Sequence, residues 1–207
     1  MRISDLSRQT GVPVATIKFY LRERLLPPGT PTGRNQALYG EAHLRRLRLI
    51  RAFTNIGHLD LSSVREVLAA IENDRLPVRD LFETVDRASN PAEPEANEVD
   101  GITEAQSDVD EFVKELGWEV EPGTPSRQRL ARVLAALKRL GCECGIEYFT
   151  PHAEAAEQLA AQELDLLVDD AAVSDRAAAV VRTVLLDAAQ AALRRMAQEH
   201  HLAQRFG

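Results

Sequence analysis

Two short segments with helical apolar patterns, separated by a short break at the start of the chain, most limit what the chain can fold into. The first runs from Ile3 to Thr10, the second from Pro13 to Leu21, and Gly11 lies in the break between them. Glycine favours helix ends and proline is tolerated at helix starts, so the pattern predicts two helices joined by a tight turn. Prolines at 27 and 28 forbid continuation of the second helix. The pattern therefore predicts a helix-turn-helix.

The residues that follow predict a wing and two further helices. Residues 27–40 are rich in Gly, Pro, Thr and Asn, which build turns, and Gln36 to Tyr39 are expected to form a short strand pair. A third helix is predicted from Glu41 to Asn55, ended by Gly57. A fourth is predicted after Asp60, which is a good N-cap.

Charge is unevenly distributed along the chain. Residues 1–71 carry eleven Lys and Arg against five Asp and Glu, a balance of +6, whereas the remainder has a balance of −13 and the whole chain −7. A basic segment joined to an acidic one indicates that the basic segment meets a polyanion. No stretch approaches the roughly 18 apolar residues of a membrane span, and the N-terminus lacks a signal-peptide core. We therefore expect a cytoplasmic chain with no membrane partner.

The remainder of the chain predicts helices only, so the fold class is mostly α: a winged helix-turn-helix head at 1–71 and a C-terminal all-α bundle. Residues 72–102 predict a short helix after Pro77 and an acidic linker, and residues 103–207 a helical dimerisation or effector domain. Its helices are expected to be capped by Ser or Thr or opened by Thr-Pro, at Thr103, Thr124, Thr150 and Ser174. The last helix is expected to reach about Arg205. The side chains expected to face inward include Leu130, Val133, Leu134, Leu137, Leu140, Leu159, Leu164, Leu167, Val168, Val184 and Met196.

Motifs for catalysis are missing from the sequence. It has no Gly-rich phosphate loop, no Ser/His/Asp spacing and no helical His-Glu metal pair, so we expect neither an enzyme nor a cofactor. Cys142 and Cys144, with His152 eight residues on, either hold a thiophilic ion or are free thiols. We expect that no metal is bound.

The stretch ISDLSRQTGVPVATIKFYLRERLLPP, followed by LYGEAHLRRLRLIRAFTNIG and SSVREVL, resembles the MerR family of transcriptional regulators over residues 1–71. The resemblance implies a homodimer that binds a near-palindromic promoter operator in double-stranded DNA and distorts it for RNA polymerase. The alternative is an architectural or excision-type DNA-binding protein without promoter control. Such proteins are typically small, and the long C-terminal body counts against that alternative.

The second helix carries most of the predicted DNA contacts. Ala15 and Thr16 are small enough to approach base edges, whereas Lys18, Tyr20 and Arg22 are expected to project outward to phosphates. In the family the Lys18 position is usually Arg, and it clamps phosphates together with the next two aromatic residues. The family's Gly-Tyr-Arg wing triplet is replaced here by residues 35–37, Asn-Gln-Ala. The predicted DNA-binding residues are Ala15, Thr16, Lys18, Phe19, Tyr20, Arg22, Arg34, Gln36, Tyr39 and Arg45, with Phe19 equally interpretable as a core residue.

The body offers two further interpretations. Prolines at 77, 91 and 94 interrupt the place where many relatives have their dimerisation helix, so the Ala-rich last helix either forms the dimer or completes the core of the body. Trp118, Tyr148 and Phe149 either line a pocket for a small-molecule effector or anchor the core.

Overall fold

The computed structural model describes residues 1–33, 36–90, 101–169 and 176–206, with the side chains of 166–169 left out. The described residues form nine α-helices and one two-stranded sheet. The chain divides into two compact units, one made of Met1–Leu81 with Asp175–Gly207 and the other of Phe82–Ser174. The predicted fold class, mostly α with a winged helix-turn-helix head and a helical body, is confirmed.

The helices of the first unit are α1 (Ile3–Thr10), α2 (Val14–Arg22), α3 (Glu41–Arg51), α4 (Leu61–Glu72) and α9 (Arg176–Phe206). Strands β1 (Thr30–Gly33) and β2 (Gln36–Leu38) form the wing between α2 and α3, and a π-helical turn (Ala52–Ile56) follows α3 directly. The strands pair antiparallel, with Thr30 opposite Leu38 and an irregularity between Pro31 and Gly33.

The helices of the head begin and end at the residues expected to cap them, with one exception. The N-cap of α1 is Arg2, not Ser4, because the Asp5 carboxylate accepts a hydrogen bond from the Arg2 amide at 3.0 Å. Gly11 ends α1 in the left-handed conformation, with a φ of 68° that glycine adopts at little cost. Asp60 caps α4 as predicted, since its carboxylate accepts from the Ser63 amide at 2.8 Å.

Replacing Asp60 by Ala is expected to lower the free energy of unfolding by about 1 kcal/mol, the usual effect of losing an N-cap. Hydrogen bonds from the Ser62 hydroxyl and the Ser63 amide hold the pKa of Asp60 below its ordinary value. The cap therefore contributes fully above the pKa of the unfolded carboxyl, about 3.9, and its contribution is lost as pH falls through the lower folded-state pKa.

Urea unfolding of the full chain at neutral pH and in acid measures this difference. Asp74→Ala, which removes an exposed carboxylate beyond the end of α4, serves as the control and is expected to change nothing. A destabilisation by Asp60→Ala that is as large in acid as at neutral pH would contradict the capping role.

The core of the first unit joins the head to the last helix. The fully buried side chains of the head come from α1 to α4, the π turn and the segment after α2, and include Leu6, Ile17, Leu25, Leu26, Leu47, Ile50, Phe53, Val64, Val67 and Leu68. Val180 and Val184 of α9 are buried as well, and α9 contacts both the π turn and α4. The sequence pattern grouped this helix with residues 103–207, whereas its buried side chains lie in the unit that contains the head.

The second unit holds most of α5 (Val78–Ser89), together with α6 (Ile102–Glu115), α7 (Pro125–Arg139), a 3-10 turn (Ile146–Phe149) and α8 (Thr150–Asp169). A small core between α6 and α7 is formed by Ala105, Val109, Val113, Ala131, Leu134 and Ala135. Lys138 of α7 also donates to Glu104 and Asp108 of α6 at 3.0 and 2.9 Å. The helix starts predicted at Thr124-Pro125 and Thr150-Pro151 are confirmed.

Other predictions for this unit are wrong. Gly101, in the left-handed conformation, precedes α6 where Thr103 was expected to cap it. Val133 and Leu140 were expected to face inward but are exposed, because the buried side chains of α7 lie on the opposite face of that helix. Leu159 and Leu164 of α8 are likewise exposed.

Other sequence predictions fall outside the described residues. They concern Ser174, residues 91–100 of the acidic linker, and the side chains of Leu167 and Val168. Within the described ranges, no helix combines the length and the apolar character that crossing a membrane requires.

Candidate nucleic-acid interface

Helix α2, the second helix of the helix-turn-helix, has one buried and one exposed face. Ile17 is fully buried and anchors the helix in the core. Ala15, Lys18 and Arg22 are exposed, while Thr16 and Phe19 are half-buried. The helical period places the three exposed residues along the outer side of α2, where they face solvent.

Two aromatic residues predicted to reach DNA are instead largely buried. Tyr20 is 8% exposed, so the expectation that it projects outward is wrong; three residues after Ile17, it lies on the buried face of α2. Its ring lies 5.8 Å from that of Phe19. Tyr39 is also 8% exposed, and its ring stands edge-on to His43 at 5.2 Å. Contact of either hydroxyl with DNA stays a prediction.

An open groove of about 810 Å³ lies between the wing and the first two helices. Among the described residues, Lys18 and Arg2 are the cations that line it, and the others in its lining are Ile3, Ser4, Leu21, Pro31, Thr32, Gly33, Gln36, Ala37, Leu38 and Tyr39. The groove thus places two positive charges beside an exposed strand pair, an arrangement suited to a phosphate backbone.

Arg2 was not predicted from the sequence as a site residue. Its position follows from two hydrogen bonds that hold the N-terminus against the wing: the Met1 amino group donates to the Tyr39 carbonyl, and the Tyr39 amide donates to the Met1 carbonyl, both at 2.8 Å. No local spacing signals this pairing, because the two partners are 38 residues apart. Of the wing residues that were predicted, Gln36 is exposed, and Arg34 lies outside the described residues.

The arginines of α3 have different roles. Arg45 and Arg48 are exposed, whereas the Arg46 side chain is 14% exposed. Arg46 Nε donates to the Leu25 carbonyl at 2.5 Å, and its guanidinium pairs with Glu72. Burial lowers the pKa of Arg46. Arg46 therefore ties α3 to the end of α2 and to α4, a structural role that the run of arginines in the sequence does not reveal.

The aromatic residues proposed for an effector site divide between core and surface. Trp118 and Phe149 pack against the α6–α7 core, which supports their interpretation as core anchors. Tyr148 is 59% exposed, and its ring lies edge-on to that of Phe149 at 5.8 Å.

Cys142 and Cys144 are free thiols. Their mutual side-chain hydrogen bond, aided by desolvation, raises the pKa of Cys144. In the part of the chain that the structure describes, no three His, Cys, Asp or Glu side chains come together as a metal-holding group.

Comparison with known proteins gives matches to the head and to the whole chain. Residues 1–71 match the profile of the MerR HTH family of regulatory proteins. The HTH-type transcriptional regulator CueR of Yersinia pestis is 33% identical over 73 residues, which are 35% of this chain and 52% of CueR. A ZntR homologue of Haemophilus influenzae is 35% identical over 68 residues, 33% of this chain and 50% of the homologue. The chain spans about half the length of these curated relatives.

A solved structure matches over the full length. The crystal structure of the proposed transcriptional regulator SCO5550 from Streptomyces coelicolor A3(2) has a TM-score of 0.67 and 35% sequence identity. The match covers 100% of this chain and 98% of that one. The similarity therefore includes the helical body as well as the head.

Proposed function

We propose that the chain, whose residues 1–71 match the MerR family of helix-turn-helix regulators and whose full length matches a solved transcriptional regulator, binds a near-palindromic promoter operator as a homodimer. The observation that carries the proposal is the groove between α2 and the wing, with Lys18 in its lining and Ala15 and Arg22 exposed on the same helix. A helix of this kind fits the major groove, and the wing lies beside it over the backbone.

The proposed contacts follow from the exposed side chains. The Ala15 methyl and the Thr16 side chain are small enough to reach base edges, where they would contribute sequence preference. Lys18 and Arg22 would neutralise phosphates and set the register. The Arg22 guanidinium lies over the Phe19 ring at 5.3 Å, so Phe19 acts as a support for Arg22. Arg45 and Gln36 would add contacts from α3 and from the wing.

Replacing Lys18 by Ala is expected to weaken binding about tenfold and by a similar factor on every duplex, because a phosphate contact carries little sequence information. It is also expected to lower the slope of log affinity against log salt by about one per head. The measurement is a salt titration of the full chain on duplexes selected from a random-sequence library, followed by footprinting on the promoter of its own gene.

Lys114→Ala is the matched control, since Lys114 is an exposed lysine of α6 in the second unit. Its affinity and its salt slope are expected to equal those of the parent. The DNA-binding role would be overturned if the affinity of the parent chain for duplex DNA stayed constant as the salt concentration is raised.

We place the dimer contact on the exposed part of α9. Leu186, Ala189, Leu193, Met196, His200 and Ala203 follow one another at alternating spacings of three and four residues, the pattern of a coiled-coil seam. Leu193 and Met196 are 64% and 62% exposed in the single chain, which is high for two neighbouring apolar side chains on one face. The same seam on a second copy supplies the apolar surface that would cover them.

The seam and the head use different sides of α9. At about 100° per residue, Leu193 lies about 180° around the helix from Val184, which packs on the head. Pairing through the seam would therefore leave the contact between α9 and the head undisturbed. Distortion of the promoter for RNA polymerase and control by an effector bound to the second unit complete the proposal, both by analogy with the family.

A further inference from the structure

Gly57 lies at a close approach between the head and α9. A Cβ atom placed on Gly57 would meet Val184 Cγ1 within the 3.0 Å that real Cβ atoms essentially never reach, and the Phe53 carbonyl oxygen at 3.0 Å. The backbone of Gly57 is ordinary right-handed, with a φ of −75°, and the left-handed residue of this turn is His58, with a φ of 54°. The backbone conformation therefore does not require glycine at position 57, whereas the close packing of α9 does.

Arg176 fixes the start of α9 to the last turn of α4 and to the segment that follows α4. Its guanidinium donates to the Leu76 carbonyl at 2.7 Å and to the Ala70 carbonyl at 3.3 Å. A cation in the first turn of α9 opposes the dipole of that helix, but it complements the carbonyls at the end of α4. The position of Arg176 is thus explained by its contact with the head.

Between these contacts and the seam, α9 is one uninterrupted helix. Val184 and Leu193 are separated by nine residues, or about 14 Å of helix at 1.5 Å per residue. A helix of this kind transmits a shift at one end to the other with little bending. The placement of each head relative to the seam is therefore set where α9 meets the head.

We propose that this joint, formed by Gly57, Val184 and Arg176, determines the spacing between the two DNA half-sites that the dimer recognises. The inference rests on the proposed function. If Val184 keeps its rotamer and α9 alone moves, ordinary contact at 3.4–4 Å with an added Cβ takes a shift of about 1 to 1.6 Å. Two-fold symmetry doubles that movement to a distance comparable with the rise of about 3.4 Å per base pair. A single methyl group at the joint is therefore large enough to change the preferred spacing.

The test uses the full chain and a library of random-sequence duplexes, from which the parent and its variants each select their sites. Gly57→Ala is expected to select the same half-site sequence as the parent with a spacer altered by about one base pair. Its affinity for the spacer of the parent is expected to fall about tenfold, comparable with the loss of one base-pair contact. The affinity of Gly57→Ala for a single half-site is expected to stay within about twofold of that of the parent, because the joint lies outside the DNA contacts.

Two further variants separate the joint from a general loss of folding. Gly57→Ala combined with Val184→Ala makes room for the added methyl and is expected to regain most of the preference for the parent spacer. Arg176→Met removes the hydrogen bonds to the Ala70 and Leu76 carbonyls without adding bulk, and it is expected to broaden the range of accepted spacers. Gly40→Ala is the control, because a Cβ at Gly40 meets nothing within 4 Å.

The inference would be overturned if both variants, Gly57→Ala and Arg176→Met, selected the spacer of the parent and bound it with unchanged affinity. If Gly57→Ala melts before it can be assayed, the result for Arg176→Met decides in its place. A parent chain that selects only single, unpaired half-sites would overturn the proposed dimeric function and this inference with it, so the two failures are distinguishable.

Discussion

Replacing Leu193 and Met196 together by Glu is expected to give a monomer whose operator affinity is lower by a factor of about 100 or more. The substitutions would place four carboxylates in the proposed seam of the dimer, where burial without partners opposes association. Two linked heads bind far more tightly than one, since the second head binds at a high effective concentration. The resulting gain in affinity is typically a factor of about 10²–10⁴. The double substitution is expected to abolish it.

Sedimentation of the full chain measures the association state, and a duplex carrying two half-sites measures affinity. Ala191→Glu with Gln198→Glu is the matched control, because it adds the same charges to exposed positions roughly opposite the seam. The control is expected to remain dimeric. A seam variant that sediments as the parent does would show that dimerisation uses another surface.

Replacing Arg46 by Ala is expected to lower the free energy of unfolding by roughly 1.5–3 kcal/mol, the usual contribution of a hydrogen bond to a charged group. The loss would arise mainly at the Leu25 carbonyl, which accepts the Arg46 Nε hydrogen bond in a part-buried position just after α2. The ion pair with Glu72 adds less, because the Glu72 side chain is 60% exposed.

Arg45→Ala is the comparison variant, since the two arginines are adjacent but differ in exposure. It is expected to leave the unfolding midpoint in urea unchanged and to weaken duplex binding. Arg46→Ala is expected to lower that midpoint while the half-site sequence stays the same. If both substitutions changed the free energy of unfolding equally, the contacts of Arg46 would not be what holds α2, α3 and α4 together.

The sequence predicts the head well because its signals are local. Gly11, Pro13 and Asp60 each mark a helix end, and the helices of the head begin and end beside them. The apolar spacing that places Ile17 in the core also places Tyr20 there, whereas the resemblance to the family predicts that Tyr20 contacts DNA. Burial of Tyr20 is thus a case in which the periodicity was the better guide.

The contacts of α9 could not be predicted in the same way. Gly57 and Val184 are more than 120 residues apart in the sequence, and an Ala-rich helix shows little contrast between its faces. Gly57 has the form of an ordinary helix stop, so its close approach to α9 has no local signature. For the same reason the domain boundaries at 71 and 102 stay a prediction.

Because its two parts are far apart in the sequence, the first unit is discontinuous. A fragment ending at residue 71 would contain the whole segment that matches the family but would lack Val180 and Val184, leaving part of its apolar surface in water. Residues 82–174 can accordingly be regarded as an insertion between two halves of one unit. A protease that cuts within the insertion would leave those halves held together by noncovalent contacts alone, and an unrelated domain with suitably placed ends could be grafted in its place.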